Sequence, residues 1–431
     1  MTSLPESLQQ HRVAIEDLSN VSDGKVVYAP LRSLWFIFMA GAAVIGGALN
    51  FSWGGVVVFL LATGAVLLLG HSLGSHRKLI HNSFACPKWL EYFLVYMGVQ
   101  VGLAGPIGLL RAHDLRDFAQ RLPDCHPYLR HGSGFWRDAW WQIHCGLKLA
   151  HPPKIEIEPR IARDRFYQFL EHTWILQQIP PALALYALGG WGFVFFGTCA
   201  RVTAGVFGHW LIGYFAHNQG GMHFAVEQAA VQGRNIRLAS ILTMGECWHN
   251  NHHAYPGSAR LGLFPGEWDP GWWMLLVFRR LGLAWDFRLP KDLPARPELV
   301  AQDGLGQSIL APARYDLAAP RFADPGLAGF WRALWEKGDA DRPALEWPAS
   351  VLSARAMRIL VGARPHLAVE PALDLLVLHR DGHSYIGLPA LCLAMAERGF
   401  AARIIAAVLL PVAVGIEKVR RGFSIRFQAA T

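Results

Sequence analysis

Two apolar runs, LWFIFMAGAAVIGGALN (34–50) and VVVFLLATGAVLLLG (56–70), are separated only by FSWGG and leave the chain few ways to fold. With its approach residues, each is long enough to cross the hydrocarbon of a bilayer, and so short a connection makes them a hairpin. The remaining composition agrees: 52% of residues are apolar and only 17% are charged. Mean hydropathy is +0.23. The 17 tryptophans and 24 phenylalanines suit a protein with rings at a membrane interface. The hairpin turn carries no charge, whereas Arg77, Lys78 and Lys88 follow its second arm, which places His71 at the cytoplasmic face.

A second hairpin is expected from Trp174 to Phe196 outward and from Ala200 to Ala216 back, kinked at Pro180 and Pro181. Between the hairpins, residues 90–110 are apolar but broken by Gly102, Gly105, Pro106 and Gly108, as in an interfacial or re-entrant helix. Residues 111–173 are charged and belong in the cytoplasm. The expected fold is therefore an all-α integral membrane protein, with four transmembrane helices in two hairpins and a cytosolic helical cap.

Residues 1–32 are expected to be a cytosolic arm with a short amphipathic helix, and residues 33–290 the membrane domain. Residues 271–283 are too short and too basic to span and are expected to lie at the interface. The shift to Pro, Ala and Arg past Asp292 marks residues 291–431 as a linker and a C-terminal region of unknown function. Within it, HRDGH (379–383) reads as surface, and the apolar helix near 401–414 is too short to span. The start MTSLPESLQQHRVAIEDL is polar and mixed in charge, so no cleavable secretion signal is expected. The six cysteines form no CxxC pair and are expected to be unpaired. The net charge of +8 is dispersed among acids between apolar segments, and no nucleic-acid motif is present.

Chemistry concentrates in histidine. The stretch GECWHNNHHAYPGSAR (245–260) places His249, His252 and His253 within five positions, and neutral imidazole is the commonest nitrogen ligand for iron, zinc and copper. Three further clusters fall on the same membrane face: His71 and His76 in HSLGSHR, His113 in HDLRD and His217 in AHNQGG. His71 and His76 would stand about 140° apart on an ideal α-helix, so they require a frayed helix end or two different ions.

In order and spacing these clusters resemble the integral-membrane fatty acid desaturases, in particular the acyl-CoA type. GECWHNNHHAYPGSAR is similar to that family's third histidine box and HSLGSHR to its first, and the resemblance runs from about Ser33 to Leu289. It implies an oxygen-dependent fatty acyl desaturase. Two iron ions would be held by His71, His76, His113, Asp117, His217, His249, His252 and His253, with dioxygen as co-substrate. Unactivated methylene groups offer side-chain acid–base chemistry no purchase, so an oxidising metal must do this work. No catalytic group beyond the metal ligands is expected.

The second box departs from the family's HxxHH, because Arg116 and Asp117 stand where two histidines would. Asp117 shares a helical face with His113 and is a competent harder ligand, whereas Arg116 cannot ligate and is expected to pair with Asp117 or another carboxylate, or to bind substrate phosphate. His209, His126, His81 and His223 are reserves, and Asn218, Asn250 and Asn251 would orient ligands or hold a metal-bound water. The chain has no haem domain, dinucleotide fingerprint or iron–sulfur cysteine set, so a separate ferredoxin, rubredoxin or b-type cytochrome is implied. The expected partners are membrane lipid and a long-chain fatty acyl substrate carried on coenzyme A, a carrier protein or a lipid. Two other readings remain: a hydroxylase on the same scaffold, or a non-catalytic membrane protein that binds metal or lipid.

Overall fold

The computed structural model describes residues 12–14, 19–264, 266–310, 326–335, 344–348, 368–372, 377–380, 383–386, 388–396 and 400–428. It is mostly helical and divides into two compact units, the first carrying residues 1–263 and 267–300.

Three helices of the first unit are long and apolar enough to cross a membrane: α1 (Pro30–Leu49), α2 (Trp53–Ile80) and α7 (Leu176–Asn218). Many of their large side chains are exposed, among them Leu34, Phe38, Leu60, Leu61, Leu183 and Leu188, as lipid-facing surfaces require. The turn between α1 and α2 is closed by Ser52, whose hydroxyl accepts from Gly55 N at 3.0 Å and starts α2.

The helix α7 does not run straight. At Gly190 the backbone takes φ 64°, ψ −158°, a conformation that only glycine adopts readily, and the helix breaks there. Its arms fold against each other, because Arg201 Nη2 donates to Gln178 Oε1 at 2.8 Å across 23 residues. Phe51 in the first turn meets Phe196 just past the second, with ring centroids 6.3 Å apart. The expected kink at Pro180 and Pro181 is replaced by this break; both prolines sit near the start of the helix, where a missing N–H costs little.

The apolar stretch 90–110 forms two helices, α3 (Lys88–Val99) and α4 (Pro106–Arg121), with the backbone turned at Gly102, φ +82°. Leu90, Leu94, Val95 and Val99 are buried, so α3 belongs to the interior. It presses against α2 at two glycines: a Cβ at Gly70 or Gly74 would stand 2.2 Å from Met97 O or 2.0 Å from Leu94 O. This close approach seats the His71–His76 stretch.

Around the helices lie α5 (Phe135–His144), α6 (Arg165–Thr173), α8 (His249–Ala254) and α9 (Pro270–Arg280). The N-terminal arm differs from the expected amphipathic helix: β1 (Val13–Ala14) pairs with β4 (Lys154–Ile155), and β2 (Asn20–Tyr28) pairs antiparallel with β3 (Cys145–His151). Alternating NVSDGKVVY suits an edge strand with one face partly covered, and residues 1–11 lie outside the described residues. All six cysteines are free thiols.

In the second unit Ala344–Pro348, Ala368–Ala372, Val377–Arg380 and His383–Ile386 build a four-stranded sheet. Helices Gly326–Trp335, Leu388–Ala396 and Phe400–Gln428 join it through a core containing Leu334, Leu378, Leu393 and Leu410. The apolar stretch 401–414 thus belongs to a 29-residue helix with Pro411 inside it. His379 and His383 lie on adjacent antiparallel strands, opposite Ser384 and Arg380, and Asp381 and Gly382 lie outside the described residues.

Candidate metal centre

The end of α2 solves the spacing problem of its histidines. From Val66 to Ile80 the backbone is a π-helix, and His81 N continues the pattern by donating to His76 O at 3.1 Å. Bonding five residues back brings every fifth side chain nearly onto one face. The His71 and His76 rings are accordingly near-parallel, 6° apart in plane and 6.5 Å between centroids, and His76 and His81 rings follow at 4.8 Å.

His76, His81, His113 and His252 form a first group whose ligand atoms all lie within 4.8 Å of one another. His217, His249 and His253 form a second. The six-residue helix α8 joins them. His249 and His253, four apart, face the second group, while His252 faces the first; the His249–His252 and His252–His253 ring centroids are 5.8 and 5.9 Å apart.

The opposite side of α8 is stapled to the scaffold. Asn250 Oδ1 accepts from His223 N and Phe224 N, and its Nδ2 donates to Phe224 O and Gly233 O. Asn251 Nδ2 donates to Leu261 O and to Glu267 Oε2. Arg296 donates to the carbonyls of His253 and Ala254, satisfying the helix's C-terminal end. Both asparagines therefore hold the ligand helix itself, and Asn218 Nδ2 is bonded to His131 O and Tyr214 O.

The nitrogens present suit a metal. In the second group His249 Nε2 lies 3.1 Å from His217 Nε2 and 3.0 Å from His253 Nε2. Two nitrogens bound at about 2.1 Å and at right angles to one ion stand about 3.0 Å apart. In the first group His81 Nε2 and both nitrogens of His252 are buried without a hydrogen-bond partner among the described residues, an unfavourable state that coordination relieves. Burial holds His81, His249 and His252 well below the ordinary imidazole pKa and His253 at about 4, so these rings are neutral and carry lone pairs near pH 7.

Carboxylates frame the groups. His76 Nδ1 lies 2.6 Å from Glu246 Oε2, and the other oxygen of Glu246 takes Ser72 Oγ at 2.7 Å and Arg77 Nη1 at 2.6 Å. Arg77 also pairs with Asp269 at 2.8 Å. Burial raises the Glu246 carboxyl, but His76 and Arg77 outweigh it and hold the group ionised. A carboxylate this close to the ring steers the imidazole beside the group.

Among the expected ligands, His71 and Asp117 lie outside both groups. His71 meets His209, ring centroids 5.2 Å apart, and its ring centroid stands 6.5 Å from that of His76. Asp117 Oδ2 stands 4.0 Å from His113 Nδ1, 3.9 Å from His252 Nε2 and 3.7 Å from Arg121 Nη2. Burial raises the Asp117 carboxyl, but His113 and Arg121 outweigh it and keep it ionised.

Arg116 behaves differently from the expectation of a carboxylate partner. Its guanidinium bonds His131 Nε2 and donates to Gln142 Oε1 at 2.7 Å, because Asp117 is served by Arg121, one turn along on its own face. His131 in turn bonds Asp138 through Nδ1 at 2.8 Å and lies against His217, ring centroids 5.3 Å apart. His223 pairs with Glu267 at 3.1 Å, and His126 Nδ1 accepts from Tyr128 N.

His81, only a reserve by sequence, carries one signal there: HRKLIH has the same spacing of five as HSLGSH. Glu246 lies inside GECWHNNHH, where the residue pattern alone signals no role for it.

No family model matches the chain. Curated relatives do. The chain is 35% identical over 235 residues to the sn-2 palmitoyl-lipid 9-desaturase of Nostoc sp. (strain 36), covering 54% of this chain and 81% of the relative. It is 39% identical over 247 residues to the sn-1 stearoyl-lipid 9-desaturase of Anabaena variabilis, covering 56% and 86%. An acyl-CoA 5-desaturase of Anemone leveillei is 31% identical over 249 residues, covering 57% and 76%.

Proposed function

Because the chain belongs to the fatty acid desaturase family and is an oxidoreductase of that kind, we propose that it places a double bond in a long acyl chain at two iron ions. One ion is assigned to His76, His81, His113 and His252, with His71 and Asp117 at its border; the other is assigned to His217, His249 and His253. The observation that carries this reading is α8, whose histidines divide between the two groups, the His252 ring centroid standing 5.8 and 5.9 Å from those of His249 and His253.

When bound, the iron pair supplies the oxidising power that, with dioxygen, removes two hydrogens from adjacent methylenes. The chain's residues position it. Glu246 orients His76, the Gly213 carbonyl takes His217 Nδ1–H at 2.7 Å, and the asparagine staples keep α8 from rotating. Burial of the groups excludes bulk water from the reacting chain.

The relatives' names support a fatty acyl substrate on a lipid or on coenzyme A. The helix break at Gly190 and the Arg201–Gln178 contact support four crossings in two hairpins, with α7 supplying the last two. Both histidine groups lie at the helix ends opposite the two turns. With basic residues beside those ends, the multi-pass protein has its metal centre on the cytoplasmic side beneath a helical cap. Electrons come from a separate ferredoxin, rubredoxin or b-type cytochrome.

The test is expression of the full chain in cells under labelled dioxygen, with lipid analysis by mass spectrometry. New unsaturated acyl chains without incorporated label are expected. A labelled hydroxyl would make the protein a hydroxylase, and unchanged lipids with no oxygen uptake would make it a metal- or lipid-binding protein.

A further inference from the structure

The second histidine group offers three imidazoles where the first offers four. Gln120, one turn beyond Arg116 on α4, reaches that gap. Its side chain is buried, and its amide orientation is set because Nε2 donates to Leu129 O at 2.8 Å. That donation turns Oε1 toward His217 Nε2, 3.2 Å away.

His217 has spent its own proton, since Nδ1 donates to Gly213 O at 2.7 Å. Its Nε2 therefore presents a lone pair to an amide oxygen, which is also an acceptor. Two acceptors at this distance repel unless a cation lies between them. A proton there would bury an imidazolium against His249 and His253. A metal ion shared with those rings satisfies every lone pair at once.

Resting on the two-iron reading above, we infer that the Gln120 side-chain oxygen is the fourth protein ligand of the second metal position, making it a three-imidazole, one-amide site. The harder, more weakly donating oxygen makes this the looser of the two positions. The first, with four imidazoles, fills before it.

The test is a calorimetric and visible-absorption titration of the chelator-stripped full chain with cobalt(II), then with ferrous iron under anaerobic conditions. Wild type is expected to bind in two phases, and Gln120→Ala to weaken the looser phase at least tenfold while leaving the tighter one unchanged. Gln120→Glu keeps an oxygen but loses the donor to Leu129, and is expected to bind at least as tightly as wild type. If it behaves like Gln120→Ala, the Leu129 bond is what matters and the inference is overturned. Two wild-type phases in Gln120→Ala overturn it as well, while leaving the two-iron reading standing. A wild type that takes up no metal overturns both.

Discussion

Glu246 Oε2 lies 2.6 Å from His76 Nδ1, tying the stretch that carries His249, His252 and His253 to the π-helical end of α2. One carboxylate thus joins two histidine clusters 170 residues apart in sequence. Partners of this kind tune metal affinity by about 10–100-fold. Glu246→Gln is expected to weaken the tighter metal phase by that factor, as measured by titration of the stripped protein. An unchanged phase would leave Glu246 with a purely structural role.

His81 and His71 should separate. His81 shares a group with His76, His113 and His252, whereas His71 leans on His209. His81→Ala is expected to purify with about one iron fewer than wild type, and His71→Ala with most of its iron. Elemental analysis of the two variants decides between the two spacings of five.

Asp117 borders the first group at 3.9 Å from His252 Nε2. Two atoms bound to one ion at about 2.1 Å lie at most about 4.2 Å apart, so Asp117 is within reach of that ion. Asp117→Asn is expected to lower both retained iron and unsaturated product. Full iron and product would remove it from the centre.

Protonation should dismantle the metal-free site. Burial holds His131 and His253 at about 4, against about 6.5 in the unfolded chain. Between those values the unfolded state binds more protons, so stability is full above about pH 6.5 and falls as pH drops toward 4. The slope is on the order of 1.4 kcal/mol per pH unit for each such imidazole. Melting temperatures of the stripped protein should be flat above pH 7 and decline below 6.5. A melting temperature that rises on acidification would show that these rings are not buried neutral.

Gly74 lets α3 lie against α2 beside His76. A methyl group would stand 2.0 Å from Leu94 O, a backbone atom with no room to yield. Gly74→Ala is expected to cost about 1–3 kcal/mol through overpacking, and to lower metal content by shifting His76. Thermal unfolding and iron analysis of one preparation read both effects.

Much of this was legible in the residues. The α1–α2 hairpin follows from two apolar runs and a five-residue turn, and the histidines of HNNHH from their spacing on one helix. Other features depend on distant backbone. The π-helix that aligns His76 with His81 runs through the stretch where Gly70 and Gly74 meet α3, and an α-helical ruler does not fit that cluster. Likewise, Arg116 finds His131 and Gln142 through the packing of α4 against later segments, which no local pattern announces. The strand at Asn20–Tyr28 is defined by its partner at Cys145–His151, over 100 residues on.

The most direct measurement is anomalous scattering at the iron edge from crystals of the full chain loaded with ferrous iron. Two peaks are expected, one among His76, His81, His113 and His252 and the other at the Nε2 atoms of His217, His249 and His253. A single peak, or iron bound away from these rings, would contradict the two-iron reading.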